Sequence, residues 1–164
     1  PFRSGSFDKA LMAYFLDYAP SIEKALKEAK RVIKKGGSLV ILLHKPNSVY
    51  MHQLEGVVLE LEDLASNLRQ WRSVGLWNNP YHIEGIEFRA GTKKEFDEKL
   101  ESIGGRARYL RKIWERQERL FDTTEKTRRY FNSRGFKVEE ILAPSAEVSN
   151  HKYYTGYAIL LKNR

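Results

Sequence analysis

Residues 1–43 read PFRSGSFDKALMAYFLDYAPSIEKALKEAKRVIKKGGSLVILL, a strand–helix–strand pattern on which the rest of the chain builds. Phe7–Phe15 and Ser38–Leu43 are the two predicted strands, and the second is apolar on both faces, as in a buried parallel strand. Between them, one helical stripe collects the apolar side chains of Ile22, Ala25, Leu26, Ala29, Val32 and Ile33. Ser21 is the predicted N-cap of this helix, and Gly36-Gly37 is predicted to end it. Two buried strands joined by a helix form a βαβ unit with a right-handed crossover.

The composition is typical of a folded protein. With 164 residues, of which 41% are hydrophobic and 30% charged, the chain can form one domain with its own core. It contains no cysteine, which excludes disulfides, a thiolate nucleophile and a cysteine metal site. No apolar run approaches the ~20 residues of a membrane span, and no signal-peptide pattern is found. We therefore expect a cytoplasmic protein with no membrane partner.

The C-terminal segment predicts a helix and two further strands. Thr123 or the next residue starts the helix, and Gly135 ends it. Phe136–Leu142 is a predicted strand, and residues 143–152 are a predicted loop. Tyr153–Leu161 is apolar on both faces, which indicates a strand inside a sheet rather than at its edge.

Residues 46–122 are predicted to form a mainly helical insertion after the second strand. An apolar stripe predicts a helix from Ser48 to Trp71, and alternation predicts a short strand near Ile86. Two more helices are predicted on either side of Gly104-Gly105, which should form a turn. An insertion at this point lies over the edge of the sheet where α/β proteins bind ligands. We therefore expect it to form a lid or a substrate cap.

The chain resembles class I S-adenosylmethionine-dependent methyltransferases, of the type 11 or UbiE-like group, in three places. The matching residues are Pro1, Phe2, Gly5, Ser6, Phe7 and Asp8, then Arg31, Val32, Ile33, Lys34, Lys35, Gly36 and Gly37, and finally Tyr130 to Val138. Each motif is short, but their order along the chain is that of the family. The resemblance covers residues 1–45 and 123–164, which it identifies as a partial methyltransferase-like α/β core.

This resemblance implies the C-terminal half of a Rossmann-like methyltransferase sheet, an α/β fold with about four strands. The last strand would insert antiparallel between its two predecessors. In the family, the glycine-rich cofactor turn precedes the matched region, and no G-x-G-x-x-G occurs in these 164 residues. The resemblance thus implies S-adenosylmethionine as the cofactor of a domain that is truncated here. We expect this chain alone to bind the cofactor weakly or not at all.

The resemblance also implies where the sulfonium end of the cofactor would lie. In the family, the end of the strand that matches Phe7–Phe15 and the loop after it pass this group, which makes Tyr14, Phe15 and Asp17 candidate cofactor-binding residues. Core packing is the alternative role for the two aromatic residues, and a turn is the alternative for Asp17. A carboxylate at this edge could also act as a catalytic base.

His44, Tyr50 and His82 are the candidates for the acceptor side. His44 follows the second strand at the same edge and could accept a proton near neutral pH. Tyr50 and His82 lie in the predicted insertion, where His82 could line a cap pocket. No histidine spacing typical of a metal site is found. Because methyl transfer depends mainly on the alignment of nucleophile and methyl group, the resemblance implies no universal catalytic residue.

The net charge of +8 leaves the class of partner open. Basic residues concentrate in and after the last predicted helix of the insertion, at Arg106, Arg108, Arg111, Lys112, Arg116, Arg119, Lys126, Arg128 and Arg129. Interleaved glutamates indicate a solvated face, whereas binding to RNA would make the chain part of an RNA methyltransferase. Our main expectation is methyl transfer to a small-molecule acceptor.

A non-catalytic interaction module is a third alternative. If Phe7–Phe15 has no neighbour on one side, its edge is a template for pairing with another strand. We expect either a homodimer or pairing with an N-terminal half through this edge.

Overall fold

The computed structural model describes residues 2–46, 48–76, 81–83, 86–143, 145–148, 151–154 and 156–164. Side chains are described for these residues except those at 49, 81–83, 86–87, 145–148 and 151–154. The chain divides into two compact units. The first comprises residues 1–52 and 113–164, and the second comprises residues 53–112.

The first unit contains a four-stranded sheet and the helices that flank it in sequence. Its elements are β1 (Phe7–Ala13), α1 (Phe15–Tyr18), α2 (Ile22–Val32), β2 (Ile33–Leu43), α5 (Thr124–Ser133), β5 (Phe136–Leu142), β6 (Ser145–Val148), β7 (His151–Tyr154) and β8 (Tyr157–Asn163). The sheet order is β1-β2-β8-β5, with β1 parallel to β2. Strand β8 runs antiparallel between β2 and β5. The predicted α/β fold and the predicted place of the last strand are confirmed.

The core of this unit is centred on the pairing of β2 with β8. Leu39 pairs with Leu161 and Ile41 pairs with Ile159, and all four side chains are buried. Helices α2 and α5 add the buried side chains of Ile22, Leu26, Ala29 and Phe131 to the same cluster. Burial on both sides of the central strands explains why their sequences are apolar on both faces.

The glycine pair does not end α2, so that prediction is wrong. The helix stops at Val32, and Gly36, at φ 75°, lies within an irregular stretch of β2 where the pairing with β1 shifts register. The helix instead ends against Asn163 of β8. The buried Nδ2 of Asn163 donates to the carbonyl oxygens of Lys30 (3.1 Å) and Ile33 (2.9 Å), which the end of a helix leaves without partners.

Two strand boundaries also differ from the sequence prediction. Strand β1 ends at Ala13, because Tyr14 adopts a left-handed conformation with φ 54° and α1 begins at the next residue. The predicted loop over 143–152 contains β6, which pairs antiparallel with β7. This hairpin takes the first residues of the predicted strand Tyr153–Leu161, so that β8 begins at Tyr157.

The second unit is mainly helical. Helices α3 (Val49–Ser73) and α4 (Lys93–Phe121) supply most of it, and β3 (Tyr81–Ile83) pairs antiparallel with β4 (Ile86–Phe88). The start of α3 and the end of α4 belong to the first unit. The buried side chains of Leu64, Leu68, Phe88 and Phe96 form the core of the second unit. None of the described helices combines the length and the apolar content that a membrane span requires.

The predicted turn at Gly104-Gly105 is wrong, because both glycines lie inside the continuous helix α4. A glycine in a helix interior costs about 1 kcal/mol relative to alanine. Leu100 and Ile103 precede the pair and pack against the core of the second unit, and Ala107 after it is buried. Packing on both sides of the pair therefore outweighs the low helix propensity of glycine.

Replacement of Asn163 by alanine tests the junction between α2 and β8. Asn163→Ala is expected to lower the free energy of unfolding by about 1–3 kcal/mol, because buried carbonyl oxygens lose their donor. Urea unfolding followed by circular dichroism measures the change. Arg164→Ala, at the exposed neighbouring position, is the control and should change it by less than about 0.5 kcal/mol. Equal stability of Asn163→Ala and the wild type would contradict this role.

Candidate functional site

The carboxyl ends of β1 and β2 lie side by side, because the two strands are parallel neighbours. Tyr14 and α1 follow β1, and His44 follows β2. The backbone N–H of Tyr14 donates to the carbonyl oxygen of Leu42 at 2.8 Å, which joins the two strand ends. Open α/β sheets bind ligands at this edge. We refer to the group formed here by Tyr14, Asp17, Tyr18, His44 and Tyr50 as the edge cluster.

A buried carboxylate organises the edge cluster. Asp17 is fully buried, and its Oδ2 lies 2.7 Å from Nδ1 of His44. The backbone N–H of His44 donates to both carboxylate oxygens at 3.3 Å, and Nε2 of Gln117 donates to Oδ1 at 2.7 Å. A buried charge is tolerated only when it is paired and hydrogen-bonded. Asp17 therefore fixes His44 through both its backbone and its ring.

The end of α4 also fixes the backbone around Asp17. Arg116 donates from its guanidinium to the carbonyl oxygens of Ala19 (2.7 Å) and Leu16 (3.1 Å), and also to that of Asp17. A helix as short as α1 leaves these carbonyl groups without helical partners. Consecutive residues of α4, Arg116 and Gln117, thus hold the backbone and the side chain of the same aspartate.

Aromatic rings enclose the imidazole of His44. Its ring stacks on Tyr14 with a centroid distance of 4.5 Å and on Tyr50 with a distance of 4.0 Å. Two rings stacked this closely must cover opposite faces of the imidazole. The hydroxyl of Tyr50 is hydrogen-bonded to that of Tyr18. Burial, and then the negative charge of Asp17, raise the pKa of Tyr50.

The Asp17 contact sets the chemistry that His44 can perform. An ionised carboxylate only accepts hydrogen bonds, so Nδ1 of His44 carries the proton that faces Asp17. In the neutral ring, Nε2 is then left with a lone pair and can accept a proton. Asp17 would also stabilise the imidazolium that such a transfer produces. The His44 side chain retains 14% of its exposed surface, so the ring is largely but not completely covered.

The structure brings four of the six candidate residues together: Tyr14, Asp17, His44 and Tyr50. Phe15 lies on α1 at the same edge, with 53% of its surface exposed. His82 lies in β3, in the second unit, and its side chain is outside the described part of the structure. Among the described residues, no three His, Asp or Glu side chains are arranged as metal ligands.

Sequence reasoning did not identify Arg116 or Gln117 as parts of this site. Arg116 and Gln117 lie in a basic helical run, where their residue types suggest a solvated face. Both are separated from Asp17 by about a hundred residues, as the Gln117–Asp17 separation of 100 shows. No local spacing connects them with Asp17, so only the tertiary structure reveals the contact.

The proton position on His44 is open to direct measurement. Because Asp17 accepts from Nδ1, the neutral ring is expected to be the Nδ1–H tautomer. Long-range ¹H–¹⁵N correlation spectra of the imidazole should therefore show a protonated Nδ1 and an unprotonated Nε2. The opposite tautomer, with the proton on Nε2, would contradict the assigned role of Asp17.

Residues 1–41 match the family model described as methyltransferase domain. The ubiquinone/menaquinone biosynthesis C-methyltransferase UbiE of Sinorhizobium fredii is 50% identical over 42 residues, which are 26% of this chain and 16% of that protein. The sterol 4-C-methyltransferase strm-1 of Caenorhabditis elegans is 42% identical over 41 residues, 25% of this chain and 12% of that protein. The match thus spans less than a fifth of either relative.

Two solved structures of methyltransferases are more distant. A SAM-dependent methyltransferase of Methanosarcina mazei is 16% identical, with 98% of this chain and 61% of that chain covered and a TM-score of 0.45. A SAM-dependent methyltransferase of Thermotoga maritima is 18% identical, with 100% and 59% covered and a TM-score of 0.45. Structural similarity at this level of sequence identity and TM-score gives no information on the candidate site.

The family match contains β1, α1 and α2 and reaches into β2, and it ends at residue 41, before His44. The resemblance predicted from the sequence is confirmed: residues 1–41 are similar to a methyltransferase domain of the class I S-adenosylmethionine-dependent type.

Proposed function

We propose that the edge cluster is the acceptor side of a methyl-transfer site that uses S-adenosylmethionine. The observation that carries this proposal is the buried contact between Asp17 and Nδ1 of His44, at 2.7 Å. It leaves Nε2 of His44 as a base at the edge of the sheet where a cofactor of this family would lie. The family match over 1–41 supports the cofactor, and the geometry supports the role of His44.

S-adenosylmethionine supplies an electrophilic methyl group on a sulfonium. Attack of the acceptor on this methyl group would release the neutral thioether and would leave the acceptor with a proton to lose. The acceptor's proton goes to Nε2 of His44, and Asp17 stabilises the resulting imidazolium. Stacking by Tyr14 and Tyr50 limits rotation of the ring, so that its base is already oriented when the acceptor binds.

Two of the described residues are suited to contact the sulfonium group of the cofactor. The exposed rings of Tyr14 (42%) and Phe15 (53%) could pack against a sulfonium, because an aromatic face attracts a cation. Asp17 was a candidate cofactor contact, but its carboxylate is buried and already bound by His44 and Gln117. We therefore assign Asp17 to the positioning of His44 and leave Tyr14 and Phe15 as the candidate cofactor residues.

A small acceptor with an acidic O–H or C–H bond suits this site. Exposed aromatic surface from Tyr14 and Tyr18 offers an apolar contact, and a base is useful when the nucleophile must lose a proton. The names of two relatives, a ubiquinone/menaquinone biosynthesis C-methyltransferase and a sterol 4-C-methyltransferase, both specify methyl transfer to carbon. We keep Tyr50, which stacks on His44 within the first unit, as a proposed acceptor contact, whereas the cap over 46–122 and the role of His82 stay predictions.

The RNA alternative has weaker support. Lys126 forms an ion pair with Asp122 at 2.9 Å, and Arg129 forms one with Glu125 at 2.8 Å. These pairs neutralise much of the charge in the basic stretch after α4. They favour the solvated-face interpretation of that stretch over an RNA-binding surface.

The role of His44 is testable in the protein as its gene encodes it. Transfer of tritiated methyl groups to a panel of quinols, phenols and sterols measures activity. His44→Gln is expected to lower kcat by about 10²–10⁴-fold, because it removes the base, while the Kd for S-adenosylmethionine should change little. His52→Gln, at an exposed position of α3, is the matched control and should retain activity. Wild-type kcat in His44→Gln would contradict the proposal.

The cofactor affinity of the 164-residue chain tests whether these residues alone form a cofactor site. We expect weak or no heat of binding in calorimetry with S-adenosylmethionine, since no glycine-rich turn occurs in this sequence. Tight, stoichiometric binding would contradict this expectation.

The interaction module is supported by the edge of β1, where Leu11 is 63% exposed and the described strands provide a neighbour on one side, β2. A stable homodimer by light scattering, combined with an inactive full-length protein, would favour this alternative. A monomeric chain with no partner strand would oppose it.

A further inference from the structure

One cavity in the first unit has no assigned role in the proposed methyl transfer. It has a volume of about 390 Å³ and lies between the start of α2, the end of α4 and α5. The lining residues that matter here are Ser21, Glu23, Arg116, Arg119, Tyr130 and Arg134. Neither His44 nor its two stacking partners line it. We refer to this cavity as the arginine pocket.

The arginine pocket carries an excess of positive charge. Three guanidinium groups line it against one carboxylate, that of Glu23, which leaves a net charge of +2 from 3 − 1. A cavity that concentrates arginines in this way is suited to a ligand with negative charge, because guanidinium groups bind phosphate and carboxylate oxygens in pairs.

The three arginines differ in what they already bind. Arg116 donates to the carbonyl oxygens of the α1 segment. Arg134 forms an ion pair with Glu23 at 2.8 Å, and its guanidinium stacks on the ring of Tyr130 at 4.3 Å. Arg119 is exposed and has no hydrogen bond or ion pair with any described residue. Its full set of donors is therefore available to a ligand.

The N-terminus of α2 adds to the positive electrostatic potential of the arginine pocket. This helix has 11 residues, and its N-cap Ser21 accepts from the backbone N–H of Lys24 at 3.2 Å. The N–H groups of Ile22 and Glu23 belong to the first turn, where an α-helix leaves donors without helical acceptors. They contribute partial positive charge to the cavity that Arg116 and Arg119 of α4 also line.

We propose that the arginine pocket binds the phosphate group of a small phosphorylated molecule. The net charge of +2 matches a phosphate monoester dianion, and the planar groups of Arg119 and Arg134 suit its oxygens. The half-buried ring of Tyr130 fixes the position of Arg134 through the stacking contact. Glu23 occupies Arg134 in the absence of a ligand and would be displaced by the phosphate. The proposal does not depend on methyl transfer, because its test contains no S-adenosylmethionine.

Binding is measured on the ¹⁵N-labelled chain with inorganic phosphate and with glycerol phosphate, at constant ionic strength in chloride. The amide chemical shifts of Ile22 and Glu23 are expected to change with ligand concentration and to saturate, with a Kd in the millimolar range. Arg119→Ala should weaken binding about tenfold, because it removes a charged donor pair. Glu23→Gln should strengthen binding, because Arg134 is released and a repulsive charge is removed. The same spectra report whether each variant is folded.

Arg106→Ala is the matched control, since Arg106 is an exposed arginine of α4 outside the pocket. It removes the same charge as Arg119→Ala and should leave the affinity unchanged. Equal weakening by both variants, or weaker binding in Glu23→Gln, would overturn the proposal, as would the absence of saturable shifts. Tight binding of a single-stranded RNA oligonucleotide without binding of glycerol phosphate would also overturn it, because the site would then be an RNA contact.

Discussion

Burial of the Asp17 carboxylate is the constraint on which the candidate site depends. A buried charge without partners would cost several kcal/mol. Its donors come from two distant parts of the chain, His44 at a separation of 27 residues and Gln117 at a separation of 100. The end of β2, the short helix α1 and the end of α4 must therefore be in place together. The hydrogen bonds that this one carboxylate requires therefore fix the positions of three elements at the edge of the sheet.

The same constraint explains the backbone of Tyr14. A non-glycine residue in the left-handed region costs roughly 1–2 kcal/mol, and Tyr14 adopts φ 54°. The turn allows α1 to start directly after β1, which brings Asp17 under His44. It also brings the ring of Tyr14 against the imidazole. The hydrogen bond from the backbone N–H of Tyr14 to the carbonyl oxygen of Leu42 and the burial of Leu16 offset the cost. Local strain at this position is thus coupled to the order of the site.

Local patterns explain which parts of the fold the sequence predicts. The stripe of α2 and the two-sided apolar strands β2 and β8 are properties of short segments, and they give the βαβ unit and the interior place of β8. The end of α2 depends on Asn163, more than a hundred residues away, so the glycine pair gave the wrong boundary. The turn predicted at Gly104-Gly105 was wrong for the same reason, because the packing of α4 outweighs the low helix propensity of these two glycines. The pairing of β6 with β7 has no signal as strong as these.

The candidate site, like the fold, could be predicted from the sequence only in part. Asp17 and His44 could be named from the sequence, because ligands bind where parallel strands end and these residues follow two strand ends, and Tyr14 was named through the family resemblance. Their mutual arrangement could not be predicted. Asp17 was expected to face a cofactor, whereas the structure buries it behind His44. Whether a carboxylate at a strand end contacts a ligand or a protein group depends on which residues cover it, and Gln117 comes from a helix whose sequence indicates only a basic face.

The last turns of α4 connect the edge cluster with the arginine pocket. Gln117 contacts Asp17, Arg119 faces the pocket, and Arg116 lines the pocket while it holds the carbonyl groups of α1. Arg116 already donates from Nη1 and Nη2 to the carbonyl oxygens of Ala19 and Leu16, so a ligand that competed for these donors would cost free energy. Arg119 and Arg134 must therefore supply most of the attraction for an anion. Because Glu23 holds Arg134 in the free state, exchange of that carboxylate for a phosphate would change the contacts of α2 and α5 and leave those of Asp17 intact.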